Sequence, residues 1–234
     1  MLIVNRLLAP VALTALLLAG CGGGNDDSGS KSSSKPDTSA ASAPAQSAPG
    51  CTRVSAPKPK PDGGQKAPKG KLALGRTYDV TMKTNCGSFT IRLDQKSSPA
   101  TAASFAALVS KGFFDKTVFH RIVPGFVIQG GDPPASGQGG PGYSTKDVPP
   151  SGTAYTRGVV AMAKTAAEPS GTAGSQFYVV TGADAGLPPE YALLGKVTKG
   201  LAVTERIGKL GDPNSGDAGT PIQPVVIEKA TLKG

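Results

Sequence analysis

Apolar and polar residues alternate strictly where the patterned part of the chain begins, at Tyr78. The apolar positions lie on both sides of a turn at residues 85–87: Tyr78, Val80 and Met82 before it, and Phe89, Ile91 and Leu93 after it. A period of two places one face of each strand in a core. The pattern therefore predicts a β-hairpin with one buried face.

Two later segments have helical spacing instead. Ser98 and Pro99 supply a cap and a proline at the first helical position, and apolar residues then recur up to Gly112: Ala102, Phe105, Leu108 and Val109. The second segment lies between Gly200 and Gly211 and carries Leu201, Val203, Ile207 and Leu210. Both patterns predict amphipathic helices that end at a glycine.

The apolar runs between the two helices are short and are separated by glycine and proline. They read TVFHRIV, GFVIQG, GVVAMA, SQFYVV and YALLGKV. Many short strands with two helices are typical of a closed or nearly closed antiparallel sheet that has helices at its ends. We therefore expect a mainly β fold.

The N-terminus carries a different pattern. Residues 1–20 contain one basic residue, Arg6, and the apolar run LLAPVALTALLLAG, which predicts a signal peptide rather than a membrane span. Its end, LAGC at 18–21, resembles the lipobox of bacterial lipoproteins, in which the cysteine is lipidated. Cys21 would then be the first residue of the mature chain. The alternative is an ordinary secretory signal with Cys21 incidental.

Residues 21–75 lack apolar periodicity and are dominated by glycine, serine, alanine, proline and lysine. Such a composition does not bury enough apolar surface to fold, so we expect a disordered tether. The folded domain is expected at residues 76–234. Together these segments predict an extracytoplasmic domain attached to the cell membrane through a lipid.

The formal net charge is +9, and the basic residues are spread over tether and domain. A nucleic-acid surface would need a basic cluster with interleaved aromatic residues, so nucleic acid is not expected as a partner. The charge instead favours solubility and a loose attraction to anionic lipid.

Cysteine and glycine motifs give little evidence of a cofactor. Cys51 and Cys86 form an even pair in an oxidising compartment and could form a disulfide between the tether and the hairpin. Two isolated cysteines and one histidine do not make a zinc site. The GxGxxG match at 137–142 is interrupted by Pro141 and is not followed by a helical pattern, so neither a metal nor a cofactor is expected.

The segment FHRIVPGFVIQGGD at 119–132 contains the chain's one histidine, His120, beside Arg121. Successive residues of a strand point to opposite faces, so the two side chains are expected to separate. A lone histidine in an apolar strand is more often a packing residue than a base. The site therefore favours chemistry that needs an apolar pocket and one fixed donor.

The segment FFDKTVFHRIVPGFVIQGGDP at 113–133 closely resembles the signature of the cyclophilins, the cyclophilin-type peptidyl-prolyl cis-trans isomerases. The likeness continues in GVVAMAK at 158–164, GSQFYVV at 174–180 and LLGKVTKGLAVTERI at 193–207. It covers residues 78–232. The resemblance implies an eight-stranded, closed antiparallel β-barrel capped by two α-helices.

The resemblance also assigns a site. It implies that Arg121 is the catalytic residue. The residues that it implies in substrate binding are Phe126, Val127, Gln129, Ala163, Lys164, Gln176, Tyr178, Leu187 and Tyr191.

Three positions depart from the family pattern. Lys164 stands at the usual asparagine, Gly186 at the usual tryptophan and Tyr191 at the usual histidine. The asparagine acts largely through its backbone, so substrate binding is expected to survive. The loss of the tryptophan puts tight cyclosporin binding in doubt.

The combined hypothesis is a monomeric, membrane-tethered isomerase that assists the folding of exported proteins. Its partners would be unfolded or extended polypeptides that contain proline, and the membrane through the lipid anchor. The departures leave an alternative, a proline-peptide-binding chaperone with little turnover. A purely structural, wall-associated lipoprotein has only the tether in its favour.

Overall fold

The computed structural model describes residues 49–234. The predicted signal peptide, the predicted lipidation site Cys21 and the tether up to residue 48 lie outside the described residues. The described part of the chain belongs to one compact unit.

Eight strands close into an antiparallel barrel. They are β1 (Asp79–Thr84), β2 (Gly87–Leu93), β3 (Thr117–Val123), β4 (Val127–Asp132), β6 (Val159–Met162), β8 (Phe177–Val180), β9 (Leu193–Lys199) and β10 (Val226–Lys233), and a separate two-stranded sheet pairs β5 (Thr145–Lys146) with β7 (Thr172–Ala173). The order around the barrel is β1-β10-β3-β4-β8-β6-β9-β2. The expected closed eight-stranded barrel is confirmed.

The first hairpin forms in the predicted register. Val80 lies opposite Ile91, and Met82 lies opposite Phe89. All four side chains are buried inside the barrel. The core is completed by an edge-on cluster of aromatic rings, in which Phe177 packs at 5.4 Å from Phe105 and at 5.9 Å from Phe119.

The two predicted helices are present as α1 (Pro99–Ser110) and α2 (Leu201–Gly208). The expected cap of α1 is wrong in one detail, because the Ser98 side chain makes no capping hydrogen bond. The backbone N–H of Thr101 instead donates to Asp147 Oδ2 at 2.7 Å. A residue that is distant in sequence therefore accepts from a free N–H group of the first helical turn. Neither helix, nor any other within residues 49–234, is long and apolar enough to cross a bilayer.

The second part of the predicted tether departs from the expected disorder. Cys51 and Cys86 are joined in a disulfide, and the Thr52 N–H donates to the carbonyl of Asn85 at 2.8 Å. Further along, the Lys60 N–H donates to the carbonyl of Pro133 at 3.0 Å. We call residues 51–65 the strap. Backbone hydrogen bonds and one covalent bond hold the strap in place. The composition suggested disorder because the segment has little apolar surface, but these bonds do not depend on such surface.

Candidate active site

The outer faces of β4, β6 and β8 carry a second apolar cluster, separate from the barrel interior. Tyr178 on β8 lies between Gln129 on β4 and Ala161 on β6 in the strand register. The alternation of β8 sends Phe177 and Val179 into the barrel core and Tyr178 and Val180 into this outer cluster. The sheet thus provides a rigid floor for a site outside the barrel.

Arg121 and Gln129 are paired across β3 and β4 at an irregularity in the register. The Arg121 Nε donates to the carbonyl of Asp217 at 2.9 Å, and Nη1 donates to Gln129 Oε1 at 3.4 Å. Gln129 Nε2 donates in turn to Gln176 Oε1 at 3.0 Å. This chain of hydrogen bonds fixes the orientation of the guanidinium. The remaining N–H groups of the guanidinium have no partner among residues 49–234.

A cavity of about 250 Å³ opens beside the guanidinium. Its lining consists of Arg121, Phe126, Val127, Gln129, Ala163, Lys164, Tyr178, Leu187 and Tyr191. We call it the Arg121 pocket. It brings together every predicted site residue except Gln176, which reaches it through the hydrogen bond to Gln129. The Arg121 Cζ lies 5.8 Å from the centre of the Phe126 ring, so charge and apolar surface meet at one edge.

Tyr178 and Tyr191 form one wall of the Arg121 pocket, and Tyr155 packs behind them. The Tyr155 hydroxyl donates to the carbonyl of Tyr191 at 2.7 Å and accepts from its N–H at 2.9 Å. The ring of Tyr191 meets the ring of Tyr178 edge-on at 5.8 Å. Tyr155 is fully buried, so it holds Tyr191 in position without touching a substrate.

The hydroxyl of Tyr178 is buried and has no hydrogen-bond partner within residues 49–234. Burial raises the pKa of Tyr178, with the neighbouring hydroxyls of Tyr155 and Tyr191 adding to the effect. Burial likewise raises the pKa of Tyr155. Both phenols therefore stay neutral at physiological pH and contribute shape and polarity rather than charge.

Lys164, the departure from asparagine, lines the pocket and is held by acceptors next to it. Its Nζ lies 3.2 Å from Glu190 Oε2 and donates to the carbonyl of Glu168 at 3.2 Å. The side chain is only 3% exposed, and Nζ lies 5.4 Å from the centre of the Tyr191 ring. The lysine thus braces the wall of the pocket, and its ammonium is already paired.

His120 lies apart from the pocket. Both ring nitrogens are buried and have no partner in the described part of the chain. Burial lowers the pKa of His120; Asp132 opposes this shift and the neighbouring Arg121 adds to it. The imidazole is therefore neutral at physiological pH, and it does not line the cavity that Arg121 lines.

The rim beside Leu187 is open at Gly186, the position of the usual tryptophan. A Cβ built on Gly186 would meet no atom within 4 Å, and its φ of +61° favours glycine. The turn is held by the Gly186 N–H, which donates to Asp184 Oδ1 at 2.9 Å. Residue 186 therefore contributes no side chain beside Leu187.

The sequence did not reveal the residues that hold the side chain of Arg121 and the backbone of Tyr191 in position. Asp217 contributes a backbone carbonyl, which gives no side-chain signal in a sequence. A Cβ on Gly219 would lie 2.8 Å from Arg121 Cγ, so the chain needs a glycine for this close approach. The segment before Tyr155 has no apolar periodicity, and the role of Tyr155 depends on contacts with residues that are distant in sequence.

Comparison with known proteins agrees with the fold. Residues 79–232 match the sequence model of the family described as cyclophilin type peptidyl-prolyl cis-trans isomerase/CLD. A relative named probable peptidyl-prolyl cis-trans isomerase B, from Mycobacterium leprae, is 38% identical over 172 residues, covering 67% of this chain and 57% of the relative. A peptidyl-prolyl cis-trans isomerase-like 1 from Gibberella zeae is 34% identical and matches over 67% of this chain and 95% of its own length.

Solved structures give the same result. A cyclophilin-type isomerase of Cryptosporidium parvum superposes with a TM-score of 0.61 at 28% identity, over 68% of this chain and 99% of that one. A crystal structure of the same protein in the presence of the dipeptide Ala-Pro gives 0.59 at 29% identity, over 67% and 99%. With the closed barrel, the Arg121 pocket and the match over residues 79–232, the chain belongs to the family of cyclophilin-type peptidyl-prolyl cis-trans isomerases.

Proposed function

We propose that this chain is a lipid-anchored peptidyl-prolyl isomerase that assists the folding of exported proteins at the outer face of the cell membrane. The observation that carries the enzymatic part is the fixed Arg121 guanidinium at the edge of an apolar cavity of about 250 Å³. A cavity of this size accepts a single side chain or ring rather than a large cofactor.

The reaction needs no covalent step. Rotation about an X-Pro bond has a barrier of roughly 18–20 kcal/mol, because amide resonance must be broken. Phe126, Val127 and Leu187 would hold the proline ring in the apolar part of the cavity. The carbonyl that precedes the proline would then rotate outside it.

Arg121 would act where the twisted amide differs from the planar one. The proline nitrogen pyramidalises during rotation and gains a lone pair that accepts a hydrogen bond, which the free guanidinium N–H groups would donate. A donor accelerates the reaction only if it binds the twisted state better than the planar state. Because Asp217 and Gln129 already orient the guanidinium, little ordering is required during the reaction.

A refolding client tests this function. The full chain is expected to accelerate the slow, proline-limited phase in the refolding of a small protein, and not its fast phase. The alternative, a binding chaperone, is favoured by Lys164, Gly186 and Tyr191, which depart from the family pattern. It predicts higher refolding yield at an unchanged slow rate, and that result would replace the isomerase proposal.

The membrane part of the proposal rests on LAGC at 18–21 and on the Cys51–Cys86 disulfide, since disulfides persist in oxidising compartments. Two acyl chains on Cys21 would suffice for stable anchoring. Detergent phase partitioning tests it: the native chain is expected in the detergent phase and a Cys21→Ser variant in the aqueous phase. Partitioning of the native chain into water would contradict the anchor.

A further inference from the structure

A second cavity adjoins the Arg121 pocket. It has a volume of about 470 Å³ and shares Gln129, Ala163 and Lys164 with the first cavity. We call it the second pocket. A polypeptide whose proline occupied the Arg121 pocket would therefore place a neighbouring residue against the second pocket. This step rests on the proposed function.

The second pocket is built partly by the strap, which precedes the barrel in sequence. Asp62 of the strap lines the cavity together with the glycine-rich loop at 137–142. The Gly140 N–H donates to Asp62 Oδ1 at 2.7 Å, and the Gly63 N–H donates to the carbonyl of Gly140 at 3.0 Å. The loop and the strap therefore hold one another at the edge of the substrate site.

Two anchors keep Asp62 in this place. On its N-terminal side, Lys60 Nζ donates to the carbonyls of Gly112, Phe113 and Asp115, just past the end of α1. On its C-terminal side, the Gln65 N–H donates to the carbonyl of Pro141 at 2.9 Å. Cationic groups near a helix C-terminus are stabilising, so the Lys60 contact is a favourable clamp.

The charges around the second pocket are predominantly negative. Asp62 and Glu168 line it, together with one cation, Lys164. The Lys164 ammonium is compensated by Glu190, whose carboxylate lies 3.2 Å away. One oxygen of the Glu168 carboxylate already has hydrogen-bond partners, since Oε2 accepts from the N–H and the hydroxyl of Thr165. The exposed Asp62 retains one oxygen without a hydrogen-bond partner among residues 49–234.

We infer that Asp62 is a specificity-determining residue, and that it makes the second pocket prefer a lysine or arginine side chain of the bound polypeptide. The strap is thus part of the substrate-binding surface rather than a passive tether. A carboxylate at the rim of a wet cavity attracts a flexible cation modestly, at about 0.2–1 kcal/mol, or roughly 1.4- to 5-fold in affinity. Salt should weaken the preference.

The test compares peptides that differ in one charge. Short Ala-Pro peptides carry lysine or glutamate two or three residues from the proline, on either side, and NMR exchange spectroscopy measures turnover and affinity with the full chain in detergent micelles. The chain is expected to favour lysine over glutamate by about threefold at one of these positions at low salt, with the ratio approaching one in 0.5 M salt.

Two variants separate charge from structure. Asp62→Asn keeps the acceptor for the Gly140 N–H and should bring the lysine-to-glutamate ratio close to one, whereas Asp62→Lys should invert it. Asp79→Asn is the matched control, because Asp79 pairs with Arg92 on the first hairpin and should leave the ratio unchanged.

The outcomes are distinguishable. Turnover of the peptides by the native chain with the same ratio in Asp62→Asn would overturn the role of Asp62 and leave the proposed function standing. Absence of accelerated exchange for every peptide would overturn the proposed function, and the inference with it.

Discussion

At the scale of single residues, Arg121 and His120 show what a local motif can predict. The expected alternation is wrong at this point, because Phe119 and Ile122 both face the barrel core and the register is irregular between Phe119 and Arg121. The structure nevertheless places Arg121, and not His120, on the cavity. The bond from Arg121 to the carbonyl of Asp217 joins residues 96 positions apart in sequence. No local pattern encodes such a contact, because any residue can offer a carbonyl there.

The tyrosine wall gives the first residue-scale prediction. Tyr178→Phe removes a buried hydroxyl that has no partner within residues 49–234, so the free energy of unfolding should rise by about 1 kcal/mol. Tyr155→Phe is the matched comparison, since it loses two hydrogen bonds to Tyr191 and should lower that free energy by about 1–3 kcal/mol. Urea denaturation measures both. Destabilisation by Tyr178→Phe would show that its hydroxyl is bonded.

The pH dependence of stability just below neutral pH is expected to come from His120. Its folded pKa lies below the unfolded value of about 6.5, so only the unfolded chain gains a proton as pH falls below that value. Stability should therefore be full above pH 7 and decrease between pH 6.5 and 5.5, by at most about 1.4 kcal/mol per pH unit. Asp79 and Asp115, whose pKa values are lowered, lose their contributions only in more acidic solution.

Urea unfolding at pH 7.5 and pH 5.5 measures this dependence. A His120→Gln variant is the control, because His120 is the chain's one histidine and the variant should have a flat profile in this window. An equally steep decrease in the variant would assign the dependence to another group.

At the scale of elements, strands and helices followed their sequence patterns closely. The hairpin β1–β2 and α2 were predicted from periodicity because each buries one face in the core. The position of α1 was also predicted, but its expected amphipathic character is wrong, because the six consecutive residues 101–106 are all buried. The short pair β5–β7 and the strap were not predicted. Two-residue strands carry no period, and the strap is held by backbone groups, a lysine and a disulfide that composition does not reveal.

The strap gives the prediction at this scale. Cys51→Ser opens a disulfide that closes a segment of 35 residues, so the free energy of unfolding should fall by about 2–4 kcal/mol. Trypsin should then cut after Arg53 in the native state, since this end of the strap loses its covalent anchor. Denaturation and limited proteolysis, with and without reductant, measure both effects. Resistance at Arg53 in the variant would show that hydrogen bonds alone hold this end.

At the scale of the whole molecule, the closed barrel was predicted because the resemblance covers several ordered motifs. All but one of the residues that the resemblance assigned to catalysis or substrate binding line one cavity. What was not predicted is the contribution of the segment before the barrel, whose low-complexity sequence suggested only a spacer. The strap places an acidic side chain, Asp62, beside the predicted site. A tether sequence can therefore line a cavity beside the predicted site when covalent and backbone contacts fix it.

The central claim is that a fixed arginine beside an apolar pocket accelerates rotation about X-Pro bonds. NMR measurement of cis-trans exchange in an Ala-Pro peptide, with the native chain and an Arg121→Ala variant, tests it most directly. Removal of one preorganised donor should lower the catalysed rate by about 10²- to 10³-fold. Arg157→Ala, which breaks an exposed ion pair with Glu205, should leave the rate unchanged. Fast exchange that persists in Arg121→Ala would contradict the account.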